Sequence, residues 1–390
     1  MKLFVAKFLF RRMGFDMKKF LILMIFLMMS RTEAAGWSPE LRIGILSGVE
    51  QVILKVSAPC IMTNAATGEA LGKIPADKKF IVNFAKLRFE AIEIRPEKIP
   101  IKDLQTTIED KKYYGGVRIN KDKESLTVIN LAPLEEYLRG VLPKEMSPSY
   151  PLEALKAQAV AARSFALKNR KKHEAEGYDL CPTTHCQVYI GVAEEKICDK
   201  AIDETRGEIL IYKEKLADTN FHADSGGMTE SVVDVWGTDV PYLVAVKEIL
   251  KLSESWTVKV TVKDFSSRFG DGFGDLKEIK LSKLTVGKGE EDRTSSGRVK
   301  SAQIVGTKKT LKLAGNELRR KFSLPSTLFD MKLEGKEVIF TGYGRGHGVG
   351  MSQTGAKSYA EDGWSYDKIL AHYYHDTKLK KLYPNLGENS

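Results

Sequence analysis

An α+β fold, with helices and antiparallel sheet behind an amino-terminal β-rich module, is predicted by three observations. Residues 40–130 hold short alternating or β-branched runs punctuated by Gly, Pro and Lys-Asp turns, which is the pattern of strands. From Pro133 the apolar spacing becomes helical, and strand-like runs return after residue 207. The last of these leads into Gly342-Tyr-Gly-Arg-Gly-His-Gly-Val-Gly350, a stretch that suits close backbone approach rather than regular structure.

The chain has 390 residues, of which 43% are hydrophobic and 29% charged with mixed sign. That composition predicts a globular protein with one or two sizeable cores. From Met17 onward, Lys18-Lys19, the apolar run Phe20 to Met29 and the small residues ending at Gly36 read as a secretory signal. Residues 1–35 are assigned to it, with cleavage after Ala34 or Ala35, and residues 1–16 add no signal feature of their own. The apolar run is ten residues long, whereas a membrane span needs about twenty. Membrane attachment is therefore expected only through an uncleaved signal, and the location is exported, in the periplasm or cell wall. The net charge of +10 falls to +5 without residues 1–34, which hold seven Lys/Arg and two Asp/Glu. Nucleic acid is not indicated as a partner; the residual charge suits an anionic wall or membrane surface, or simply solubility.

Strands are read at Leu41–Ile45, Gln51–Val56, Phe80–Val82 and Ser125–Ile129. The polar run Glu109-Asp-Lys-Lys112 predicts a boundary, dividing a β-rich accessory module, residues 37–112, from a domain over residues 113–385. Leu134, Tyr137, Leu138 and Val141 recur at helical spacing, and a second helix runs from Pro151 to near Lys172. Its alanines at 154, 157, 159, 161, 162 and 166 allow close packing. Glu145 falls between these helices, because Pro143 and Pro148 oppose continuation of either one. Glu135, Glu136 and Glu153 are expected on solvated helix faces. Further strands are read at Glu208–Tyr212, Thr257–Thr261 and Val338–Phe340, with residues 287–300 an exposed polar loop.

Several residues could carry chemistry. Arg345, His347, Ser352 and Gln353 sit among the glycines, and His222, Ser225 and Gly226 lie in Phe221-His-Ala-Asp-Ser-Gly-Gly-Met-Thr-Glu230. Their hydroxyl, amide and guanidinium groups suit a polar ligand, but each could equally satisfy loop backbone. A Ser225–His222–Asp224 hydrolase is disfavoured by the closeness of the three and by the lack of G-x-S-x-G. Glu145 reads alone as a solvated cap or, in a partly apolar cleft, as an acid with a raised pKa. Cys181 and Cys186 with His185, and more loosely His173, match a zinc site whose fourth ligand is water or substrate. The alternative is a Cys181–Cys186 disulfide, favoured by an oxidising compartment. Cys60 and Cys198 are expected to be buried apolar residues, and His372 and His375 to pack rather than bind metal.

Three blocks resemble the stage II sporulation protein D (SpoIID/LytB) family of bacterial cell-wall proteins. They are Leu134 to Ala166 (LEEYLRGVLPKEMSPSYPLEALKAQAVAARSFA), Phe221 to Glu230, and YGRGHGVGMSQTGA from Tyr343 to Ala356. Thr354 stands where such proteins often carry tyrosine. The resemblance implies a fold that forms a glycan cleft. It also implies Glu145 as the catalytic acid/base of a lytic transglycosylase acting on peptidoglycan glycan strands, including strands stripped of stem peptides. His222, Ser225, Gly226, Arg345, His347, Ser352 and Gln353 would line the cleft, and some members bind zinc at a similar Cys/His segment. The alternatives are a non-catalytic wall-binding enhancer of a cell-wall amidase and a structural partner docking through the β-rich part.

Overall fold

The computed structural model describes residues 38–249 and 254–383, so the signal read at residues 1–35 lies outside the described residues. Helices and antiparallel sheets mix throughout, as an α+β fold requires. A six-stranded antiparallel sheet runs in the order Glu40–Val49, Leu126–Pro133, Gly116–Lys121, Ala91–Pro96, Cys60–Asn64, Ala70–Ile74. A four-stranded sheet, Phe80–Asn83, Gln51–Val56, Gln105–Ile108, Lys111–Tyr114, lies beside it. In Gln51–Val56 alternate residues Val52, Leu54 and Val56 are buried, the period of a half-covered strand. Leu126–Pro133 is buried at every position.

The six-stranded sheet crosses the boundary expected at residue 112. Glu109 and Asp110 form the tight turn joining two paired strands, with Glu109 at φ 54. The polar run thus marks a hairpin, not a linker, and both sides of it enter one hydrophobic core that extends from Leu41 to Tyr374.

Eight helices are described: α1 (Leu134–Glu145), α2 (Leu152–Lys168), α3 (Lys196–Glu204), α4 (Val232–Trp236), α5 (Val262–Ser267), α6 (Gly315–Phe322), α7 (Gln353–Glu361) and α8 (Tyr366–Tyr373). α2 is the hub, packed by α1, α3, α7, α8 and the strand Glu208–Tyr212. Its six alanines are fully buried, as a helix covered on several sides demands. α1 runs through Pro143 and ends on Glu145, so the junction expected before Glu145 comes one residue after it. Pro143 lacks one N–H, but only two helical residues follow it, so little of the ladder is lost. Met146 then turns extended, its N–H reaching Leu142 O at 3.0 Å.

Glu135 and Glu136 are buried rather than solvated. Arg163 of α2 grips Glu135 with Nε at 3.0 Å and Nη2 at 2.7 Å, while Tyr383 OH and Gly207 N–H donate to the same carboxylate. Burial works to raise the Glu135 pKa, but the Arg163 charge and these hydrogen bonds outweigh it and hold it below the usual range. Glu136, without such a partner, is pushed up to about 7 by burial. Glu153 is partly exposed and pairs with Lys156 at 2.8 Å.

Residues 256–342 enclose a second core around Phe265, Phe322, Phe329 and Phe340, with Phe265 and Phe322 stacked at 4.8 Å. Two three-stranded antiparallel sheets frame it, one of them Trp256–Thr261, Glu337–Gly342, Phe329–Glu334. The segment 287–300 is not wholly exposed: Arg293, Thr294, Ser296 and Arg298 are buried. Arg293 donates to Gly297 O and Phe329 O, and Thr294 and Ser296 bond the Glu230 carboxylate, burial that hydropathy alone does not reveal. Among the described residues no helix is long and apolar enough to cross a membrane.

Candidate functional site

The two glycine-bearing blocks meet in a short parallel pair, Phe221 against Met351 and His222 against Ser352. Backbone bonds between Asp224 and Arg345 extend the contact. Gly348 is needed here: its φ is 88, and a Cβ would lie 2.7 Å from the Arg298 guanidinium carbon. This junction adjoins a cleft of about 740 Å³, lined by Glu145 from α1, Phe165 and Lys172 from α2 and the following turn, and His185 and Cys186 beyond it. Phe221, His222, Trp236, Arg319 and His347 also line it, with Asn169, Thr184, Asn220 and Gly346.

Glu145 Oε1 accepts the Val188 N–H at 2.9 Å. Burial raises the Glu145 pKa, opposed by this bond and by one from the Gln353 side chain, and the net shift is upward. The protonated acid is thus favoured more than in an exposed glutamate, beside an amide that can steady its ionised form.

His222 is buried, with Nδ1 3.1 Å from Val349 O. A carbonyl only accepts, which assigns the proton to Nδ1, and Nε2 has no hydrogen-bond partner. Burial, then the neighbouring His347 and Arg298, keep this imidazole neutral. His347 Nδ1 accepts the Val349 N–H at 3.0 Å, so its proton lies on Nε2. Burial, followed by Arg319 and Arg298, pushes His347 down to about 4. The half-exposed Trp236 packs on it, ring centres 5.2 Å apart.

The other expected lining residues have different places. Ser225 is fully buried and gives its hydroxyl proton to Glu248 at 2.5 Å, not to His222, so no Ser–His pair forms. Tyr373 OH holds the other Glu248 oxygen at 2.6 Å. Ser352 is buried too; its hydroxyl caps α7 by accepting the Gly355 N–H at 3.1 Å. Gly226 serves close packing against Leu328 and Tyr343. Arg345 is exposed and does not line the cleft. Of the seven, His222 and His347 line the cleft, and Gln353 reaches it through Glu145.

His173, Cys181, His185 and Cys186 bring four donor atoms within 4.8 Å of one another. His173 Nε2 to His185 Nδ1 is 3.3 Å, Cys186 Sγ to His173 Nε2 is 3.5 Å, and both thiols lie 3.7 Å from His185 Nδ1. Ligand bonds to a tetrahedral zinc would give about 3.4 Å between nitrogens and about 3.6 Å between nitrogen and sulfur. Glu176 meets His173 Nδ1 at 3.4 Å, an arrangement that leaves Nε2 free to ligate. All four cysteines are free thiols. Burial would raise the Cys181 thiol, yet bonds from Thr183, His185 and Cys186 bring it down to about 6. Burial pushes Cys186 up to about 11. The cluster could hold a metal ion, and His173 belongs with the other three. Cys60 and Cys198 are buried as expected, and His372 packs against Tyr359, its Nε2 3.0 Å from the hydroxyl.

Sequence reasoning missed Val188, Lys172, Trp236 and Arg319. Trp236, in Val-Val-Asp-Val-Trp-Gly237, was open to notice as an aromatic just after the His222 block. Arg319 had no local signal, since α6 is amphipathic and cationic throughout its last turn.

A family model described as Stage II sporulation protein matches residues 122–212, and a domain of unknown function (DUF8618) matches residues 251–350. Stage II sporulation protein D of Bacillus subtilis (strain 168) is 36% identical over 272 residues, 64% of this chain and 75% of the relative. An uncharacterized protein of Brachyspira hyodysenteriae is 36% identical over 282 residues, 70% and 73% of the two chains. The amidase enhancer of Bacillus subtilis is 30% identical over 352 residues, 76% of this chain but 49% of the relative, so the chain spans about half of that protein.

Proposed function

Because the chain belongs to the stage II sporulation protein D family, we propose that it is an exported lytic transglycosylase of the cell wall, cutting peptidoglycan glycan strands to 1,6-anhydro-N-acetylmuramic acid ends. The observation that carries this reading is the acid count of the cleft. Among the described residues lining it, Glu145 is the one carboxyl group, whereas glycosidases that use water employ two. One carboxyl group suffices when the nucleophile belongs to the substrate.

Glu145, whose burial favours the protonated form, gives its proton to the leaving glycosidic oxygen as that bond breaks. The resulting carboxylate is steadied by the Val188 N–H and Gln353. It then takes the proton of the muramic acid 6-hydroxyl, whose oxygen bonds to the anomeric carbon and closes the anhydro ring. Neutral His222 and His347 line this space without adding charge to it, and Trp236 offers an apolar ring to a pyranose face.

The donor set fits zinc, held by His173, Cys181, His185 and Cys186. Four protein ligands leave no open position, so the ion would fix the loop rather than polarise substrate. That loop carries Val188, which holds Glu145.

Mass spectrometry of products from purified glycan strands tests the reading. Anhydromuramic ends from the wild-type protein and none from Glu145→Gln are expected. Strand binding without products, together with acceleration of a wall amidase, would replace it with the enhancer role named for the Bacillus relative.

A further inference from the structure

Val188, whose N–H holds Glu145 at 2.9 Å, lies in a segment, residues 187–190, that belongs to no helix and no sheet. Regular structure therefore does not aim that N–H. A peptide unit is planar, so the Val188 N–H turns together with the carbonyl of Gln187, and whatever holds Gln187 sets its direction. Gln187 is fully buried, and both ends of its side chain are engaged. Its Oε1 accepts the Tyr137 hydroxyl at 3.1 Å, and its Nε2 donates to Ala162 O at 3.3 Å. Tyr137 lies on α1 about two turns before Glu145, and Ala162 lies on α2. One amide thus spans the two helices with an acceptor and a donor, which an ionised carboxylate in its place could not do.

The chain is held beyond Val188 as well. Tyr189 OH donates to Asn130 Oδ1 at 2.9 Å, and Asn130 Nδ2 donates to Tyr114 O at 2.9 Å and to Gly116 O at 3.1 Å. The Tyr189 ring packs on that of Tyr137, centres 4.8 Å apart, and the Ile190 N–H reaches Gly140 O of α1 at 3.2 Å. Tyr189, Asn130 and Ile190 fix where the segment runs. Gln187 fixes the tilt of the peptide unit that carries the Val188 N–H. That bond counts most once Glu145 has given up its proton, because a hydrogen bond to a carboxylate is stronger than one to the neutral acid.

Resting on the reading of Glu145 as the acid, we propose that Gln187 is a positioning residue: by bridging Tyr137 and Ala162 it aims the Val188 N–H at Glu145 and keeps that carboxyl group in its reactive place. Gln187 does not touch substrate in this scheme. Its effect passes through one peptide plane.

The test uses the full chain in two variants. Gln187→Met keeps the side-chain length and loses both bonds; Tyr137→Phe keeps the ring on Tyr189 and removes only the hydroxyl donor. Amide exchange at Val188, the Glu145 carboxyl titration by NMR and the kinetics of anhydro-product release are followed in each. Gln187→Met should speed exchange at Val188 and move the Glu145 titration upward, since the weakened bond favours the ionised form. It should lower kcat on the order of ten- to a hundredfold, the scale of a small misplacement, with KM nearly unchanged. The alkaline limb of the kcat profile should move to higher pH, because the acid keeps its proton longer. Tyr137→Phe should shift every readout the same way by less, and it decides alone if Gln187→Met does not fold. A loss of unfolding stability with Val188 exchange, the Glu145 titration and kcat unmoved would overturn the inference and leave Gln187 as helix packing. A loss confined to KM would overturn it too. Absence of anhydro ends from the wild-type protein would overturn the function proposed above, and the Glu145 titration with Val188 exchange would still decide this inference.

Discussion

The loop from His173 to Val188 and the polar core beneath the glycine-rich segment both support the cleft, by opposite means. In the loop, four donors from fourteen consecutive residues converge at mutual distances of 3.3 to 3.7 Å on a partly exposed point. In the polar core, Glu248 binds Ser225 and Tyr373, and Glu230 takes Thr294 at 2.5 Å and Ser296 at 2.7 Å. Arg298 donates to Ser225 O at 2.7 Å. These groups are buried and come from segments far apart in sequence. The difference is one of reversibility. A converging donor set can be filled or emptied while the chain stays folded, whereas a buried polar network forms and fails with the fold.

The largest effect expected is on the chemistry that both regions serve. Glu145→Gln should cost on the order of 10²- to 10⁴-fold in anhydro-product formation, with no comparable loss of thermal stability by calorimetry. A stable variant retaining activity would detach the acid from both supports. Next, Arg298→Met should cost roughly 3–5 kcal/mol in denaturant unfolding, because Glu230 would lose its buried cation. An unchanged unfolding midpoint would show that the hydroxyls of Thr294 and Ser296 satisfy Glu230 alone.

Emptying the loop should do less to the whole fold. Chelation, or Cys181→Ser with Cys186→Ser, should remove one equivalent of bound zinc and speed amide exchange at Val188, leaving far-ultraviolet dichroism unchanged. Exchange at Val188 that ignores zinc would uncouple the loop from Glu145.

The smallest effects are in pH. His347 is held at about 4 against an ordinary value near 6.5, so the unfolded chain binds the proton more readily. Its contribution to stability is therefore complete above pH 6.5 and lost as pH falls toward 4. Glu145 shifts upward, so its stabilising effect and its acid function both fade as pH rises through its folded pKa. Imidazole and carboxyl titrations followed by NMR would check the two signs.

Much of this was legible in the residues. The strand runs and the alanine-rich helix follow from period, and the close backbone approach at the glycine-rich segment from glycine's conformational freedom. Cys181, His185 and Cys186 were identifiable from residue type and spacing, His173 only loosely so, and Glu145 stood out through the family resemblance. Burial of polar residues was not legible. Ser225 and Ser352 look like ligand-facing hydroxyls until Glu248 and the α7 amide claim them. Arg298 sits in a run whose composition suggests solvent. The hairpin at Glu109 was mistaken for a boundary because turn and linker share polar composition. Long-range pairing decides these cases, and no local pattern encodes it.

The parallel contact of Phe221–His222 with Met351–Ser352 also sets an order of events. A chain emerging amino end first delivers Glu145 and the thiol loop early. Gln353, His347 and the strand that docks beside His222 arrive some two hundred residues later. Until they do, closing that span carries an entropic cost with nothing yet to offset it. A half-emerged molecule therefore holds Glu145 without the floor of its cleft, which is completed only when nearly all of the chain has been delivered.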